Sequence, residues 1–180
     1  MDKLTSKAQQ AIQDAAAIAN RNDHATLESL HLARALVSQD DGIVVSILKN
    51  LEIPVGSVAD ALDAEIRKLP KVHGEGAQLR PSNGLARILA KAEAMPGEMG
   101  DSFVSTEHLL TAILESKDKC SEILHAQGLN SERVRSVLDQ IRGGRPVDGQ
   151  DPEGRMQVLE KYCKDLTALA RREKIDPVIG

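Results

Sequence analysis

The chain has 180 residues, enough for one buried core and an extension, and 41% of them are apolar although Phe103 and Tyr162 are the only aromatic rings. Its 23 basic and 27 acidic residues leave a net charge of −4, and without a basic cluster or an aromatic platform there is no case for nucleic-acid binding. No apolar run is long enough to span a bilayer, and the polar start Met1-Asp2-Lys3-Leu4-Thr5-Ser6 lacks a signal-peptide core, so the expected location is cytoplasmic, away from membranes.

A core of Ala, Leu, Ile and Val with so few rings predicts an all-α fold of close-packed helices. The first helix is expected from about Thr5 to Asn20, with Ala8, Ala11, Ile12, Ala15 and Ile18 on one stripe. Thr5 or Ser6 can cap it, because a side-chain oxygen there accepts from a free first-turn amide. A second helix carries Leu32, Ala35 and Leu36, and a third holds Ile43 to Leu51. The fourth is expected from about Pro54 to Leu69, with Val58, Leu62 and Ile66 facing inward. A polar, glycine-containing connector, Leu69 to Gln78, follows.

The same pattern then returns. Leu27 to Leu36 reappears as Val104 to Ile113, an offset of 77 that also carries His31 onto His108 and Ala8, Ala11, Ile12 and Ala15 onto Leu85, Ile88, Leu89 and Ala92. Past a one-residue deletion, Ile47, Ile53, Val58 and Leu62 meet Ile123, Leu129, Val134 and Leu138. One fixed long offset marks a tandem duplication of a four-helix unit, with pseudo-twofold repeats over about 4–69 and 81–142. In the second copy Ser105 is the expected cap, with Glu107 in the first turn where the helix dipole favours an anion. Pro96-Gly97 predicts that the first helix of this copy ends or kinks about a turn early. Asn130 should cap the last helix and Gly143-Gly144 should end it. Residues 143–158 are rich in Gly and Pro and read as a linker. Residues 159–180 resume a stripe of Leu159, Tyr162, Leu166 and Leu169 that has nothing to bury against, as at the start of a second, truncated domain.

Catalytic and metal signatures are missing from the pattern. No Gly-x-x-x-x-Gly-Lys-Ser/Thr loop occurs, so nothing here can cradle a nucleoside triphosphate, and these residues are not expected to form an enzyme. His31, His108, Cys120 and His125 do not have the spacing of a metal site, so no metal is expected. A histidine repeated at one place in a duplicated helix is more simply a repeated structural contact. Cys120 and Cys163 read as plain packing residues.

Beyond the doubled helix block stand Lys68-Leu69-Pro70-Lys71-Val72, the exit Arg142-Gly143-Gly144, and a run from Leu159-Glu160-Lys161-Tyr162 through Asp165-Leu166-Thr167 to Asp176-Pro177-Val178-Ile179-Gly180. With these segments the chain resembles the N-terminal domain of the Clp ATPases, in their disaggregating branch. The resemblance implies a domain, followed by a linker and the first residues of an AAA+ ATPase module, that captures unfolded or aggregated protein clients for a homohexamer. It implies ATP with Mg for the complete protein and no cofactor for this stretch, with Val178 and Ile179 near the adenine once the ATPase module is complete. A co-chaperone is a further implied partner. Thr5, Asp101 and Glu107 match polar positions tied to chaperone function, while Met95 and His108 match positions lining an apolar client groove. Each also has a plainer reading: Thr5 as a cap, Asp101 as a loop acid, Glu107 as a dipole partner, and Met95, the repeat partner of Ile18, as core. Lys91 stands where the family pattern has an apolar groove residue. The alternatives to client capture are adaptor docking in a protease-associated Clp unfoldase and a helical interaction module with no chaperone role.

Overall fold

The computed structural model describes residues 3–72, 78–99 and 102–143, with the side chains of 97–99 left aside. Two sets of four helices carry them. The first set is α1 (Ser6–Arg21), α2 (Ser29–Leu36), α3 (Ile43–Asn50) and α4 (Val55–Ile66); the second is α5 (Asn83–Met99), α6 (Thr106–Leu114), α7 (Lys119–Ala126) and α8 (Ser131–Arg142). Helices α1 and α5 start at 6 and 83, and α2 and α6 at 29 and 106, a shift of 77 in each case. Helices α3 and α7 (43 and 119) and α4 and α8 (55 and 131) keep a shift of 76. The duplication read from apolar positions is therefore a duplication of helices.

Packing follows from how much of each helix is apolar. Seven of the eight residues of α2 are buried and eight of the nine of α6, so both are enclosed on nearly every side and pack on each other in the middle. Helix α1 buries only Ala8, Ala11, Ala15 and Ala19, small side chains that let it lie close along α2. The outer helices α4 and α8 each bury one narrow stripe, Val58, Leu62 and Ile66 in one and Val134, Val137 and Leu138 in the other. None of the described helices is long and apolar enough to cross a membrane.

Two short parallel pairings join the repeats, and the helical pattern did not disclose them. Strand β1 (Thr26–Leu27) pairs with β2 (Arg80–Pro81), with Leu27 opposite Pro81. Leu4 bridges to Val104 in the same parallel sense. Shifted by 77, Leu27 becomes Val104 and Leu4 becomes Pro81, so the two pairings are one contact made twice in exchange. The residue two positions before the first helix of each repeat pairs with the residue two positions before the second helix of the other. The amide bonds match as well: Thr5 N–H donates to the Val104 carbonyl at 2.9 Å and Ser82 N–H to the Leu27 carbonyl at 2.9 Å.

Caps account for most helix limits. Thr5 Oγ1 accepts from Ala8 N–H at 3.2 Å, and Asn130 Oδ1 accepts from Arg133 N–H at 2.9 Å. Gly143 closes α8 in the left-handed region at φ 56°, where a glycine carries no Cβ penalty. Two boundaries depart from expectation. Helix α4 ends at Ile66, because Lys68 and Leu69 bond to Glu65 and Ile66, three residues back, and tighten the chain out of the α ladder. Helix α5 does not end at Met95 but runs through Pro96 to Met99. Pro96 stands within the last turn, so it removes one amide from a ladder about to finish, and the helix tolerates it there. The expected linker and ATPase stub, with Val178 and Ile179, fall after Gly143 and lie outside the described residues, as does Asp101.

Candidate functional site

The Leu4–Val104 bridge carries Thr5 to the N-terminus of α6, where Glu107 and His108 sit. Three of the five expected client residues are thus brought together. They are interior residues: Thr5 is 0% exposed and Glu107 and His108 are each 1% exposed, with Met95 on neighbouring α5 at 8%. In this conformation Thr5, Glu107 and His108 present no surface to a client.

Each of the three has a structural partner. Thr5 caps α1. Glu107, in the first turn of α6, forms an ion pair with Arg142, the last residue of α8; Glu107 is buried and Arg142 partly so. The other carboxylate oxygen, Oε2, is buried with no hydrogen bond among the described residues. His108 is the return half of a capping box: its Nδ1 accepts from Ser105 N–H at 2.8 Å. His31 does the same in the first repeat, accepting from Glu28 N–H at 2.9 Å. A Glu or Gln usually fills this place, three residues after the cap. Here an imidazole does so in both copies, which is the repeated contact that the shared position implied.

The first-repeat imidazole has a further neighbour. With His31 Nδ1 accepting, the proton of the neutral ring is on Nε2, which lies 2.9 Å from His24 Nδ1. His24 accepts there, and its own Nε2 is buried with no partner among the described residues. Burial, and then the His24 ring beside it, push His31 down to about 4. Burial and Lys71 lower His24 as well, against a smaller opposing pull from Asp23.

Among the described residues, one cleft lies open between α5, α6 and the start of α7. It has a volume of about 210 Å³ and is lined by Gly84, Arg87, Ile88, Lys91, Ala112, Ser116 and Asp118. Small-molecule sites usually measure about 300–1,000 Å³, so this one suits one or two side chains of a polypeptide. Buried Ile88 and Ala112 form an apolar floor, and Arg87 and Lys91, one turn apart on α5, stand exposed at the rim. Lys91 Nζ lies 2.8 Å from Glu115 Oε2. Asp118 is turned inward: Oδ1 accepts from Ser121 N–H at 2.9 Å and Oδ2 from Ser29 Oγ at 2.6 Å. Sequence reading named Lys91 only as a departure and missed Arg87, Ile88 and Ala112. Ile88 was legible as a stripe residue, but no pattern tells which part of a stripe borders a cleft.

With this geometry in hand, residues 3–127 match the Clp repeat (R) N-terminal domain. The chain belongs to the Clp N-domain family. Over its full length it is 36% identical to the chaperone protein ClpB of Clostridium tetani, and over 98% of its length it is 39% identical to the chaperone protein ClpB of Bdellovibrio bacteriovorus. In both cases the chain spans only 21% of the relative. The fold superimposes on the Hsp104 N-terminal domain of Candida albicans with a TM-score of 0.76 at 21% identity, covering 84% of this chain and 99% of that one. As in other Clp N-domains, the described helices form a single globular unit made of two repeats.

Proposed function

We propose that this Clp N-domain captures unfolded or aggregated polypeptide for an ATP-driven chaperone that dissolves aggregates. The observation that carries the reading is the α5–α6 cleft, apolar at its floor and sized for side chains, in a chain whose full-length relatives bear the name of a chaperone. Gly84, Arg87 and Lys91 contact the client above the Ile88–Ala112 floor, and Asp101 supplies a further polar contact. Thr5, Glu107, His108 and Met95 serve as the frame that fixes α6 against α1, α5 and α8. The complete protein binds ATP with Mg in modules beyond this stretch, where Val178 and Ile179 begin the adenine site, and it works as a hexamer in the cytoplasm, with a co-chaperone as a further partner.

Binding to one such cleft is weak. A site for one or two side chains falls in the micromolar to millimolar range, about −8 to −4 kcal/mol. Six tethered copies raise the effective concentration, so that a client is held collectively and released singly. A fluorescence titration of the 180-residue chain with a permanently unfolded, carboxymethylated protein tests this. Saturable binding that Gly84→Trp abolishes by filling the cleft, with the melting curve preserved, supports the reading. Binding only to a folded adaptor would favour the adaptor-docking alternative, with which the same fold is compatible.

A further inference from the structure

Cations on the α5 rim give the cleft a preference. We infer that it selects client segments in which an acidic side chain flanks an apolar one, with Arg87 as the residue that reads the carboxylate. This rests on the client-capture reading above and adds the chemical class of client.

The charge arrangement carries the inference. A helix places residues four apart on one face, so Arg87 and Lys91 project along the same edge, over the floor made by Ile88 and Ala112. Among the described residues Arg87 has no ion-pair partner, and its guanidinium is an exposed planar fork suited to a carboxylate. Asp118, the one carboxylate in the lining, is occupied by Ser29 and Ser121 and offers little to neutralise Arg87. The Lys91–Glu115 contact is a surface pair, with Lys91 48% and Glu115 32% exposed. Such pairs contribute little, so an incoming carboxylate can share Lys91 at small cost. The rim thus offers one unpaired and one exchangeable cation beside an apolar floor, which is complementary to an acidic–apolar segment and repels a basic one.

The test uses two fluorescein-labelled extended peptides with one common Leu/Val/Ala centre, flanked by Glu in one and by Lys in the other, titrated into the 180-residue chain. The Glu-flanked peptide should bind about fivefold more tightly at low salt, an advantage that fades as salt screens the exposed pair. Arg87→Glu should reverse the order, and Lys91→Leu should shrink the advantage without reversing it. Both substituted positions are exposed, and melting curves check that the fold is kept. Equal binding of the two peptides, or an order that Arg87→Glu leaves unchanged, overturns the acidic preference and leaves client capture standing. Absence of binding by either peptide up to millimolar concentration overturns both.

Discussion

Glu107, at the start of α6, is ion-paired inside the protein with Arg142, the last residue of α8. The pair ties the point where the chain leaves the domain to a helix at its centre. Removing the Glu107 carboxylate takes an ion-pair partner from Arg142 and empties a fully buried position, at a cost of about 1–3 kcal/mol. Glu107→Ala is therefore expected to lower the unfolding free energy by about that amount in urea titrations, with Glu107→Gln milder. A stability unchanged within about 0.5 kcal/mol would show that the pair contributes nothing net to the fold.

The His24–His31 pair predicts a pH dependence. His31 stays neutral in the fold down to about 4, whereas in the unfolded chain a histidine protonates near 6.5. Above that value the ring is neutral in both states and contributes no slope. Between about 6.5 and 4 only the unfolded chain takes up the proton, so stability falls as pH falls, by up to about 1 kcal/mol per unit, and levels off below. His31→Gln keeps an acceptor for the Glu28 amide but cannot titrate. Urea midpoints measured from pH 7 to 4 should show a flatter profile for His31→Gln, and parallel profiles would remove His31 from the account.

In the second repeat the capping role is separable from burial. His108→Gln retains a return acceptor for Ser105 N–H, whereas His108→Ala loses the bond and leaves a void. The alanine variant should lose about 1 kcal/mol more than the glutamine variant. Equal losses would mean that ring packing, and not the 2.8 Å bond, is what His108 supplies.

Residues 1–79 made alone should not fold. Leu27 would lack Pro81 and Leu4 would lack Val104, and buried α2 would lose α6. Residues 1–143 should give a cooperative helical melt. A cooperative transition by the first repeat on its own, followed by circular dichroism, would contradict the exchange of contacts between repeats.

Helix starts were legible because the chemistry is local: Thr5, Ser105 and Asn130 each serve the turn that follows them. The doubling was legible because burial imposes the same apolar spacing twice. The pairings at Leu4, Leu27, Pro81 and Val104 were not, since two-residue strands hold no alternation to detect. Nor was the Glu107–Arg142 pair, whose partners are brought together by packing across 35 positions with no periodic signal. Of the five site residues named from resemblance, Thr5, Glu107 and His108 meet at the start of α6 and Met95 lies on α5, while Asp101 lies outside the described residues. Sequence could not tell that Thr5, Glu107 and His108 turn inward, because a polar side chain at a helix start satisfies the same pattern whether it faces water or its neighbours.

The exchanged pairings also set an order for biosynthesis. The first half leaves the ribosome with Leu4 and Leu27 unpartnered; Pro81, the mate of Leu27, and Val104, the mate of Leu4, are made only with the second repeat. At ordinary elongation speeds the wait is roughly 3–20 s. Throughout it the nascent first repeat holds an exposed α2, apolar on nearly every side, so this domain is itself a transient client for whatever guards nascent chains.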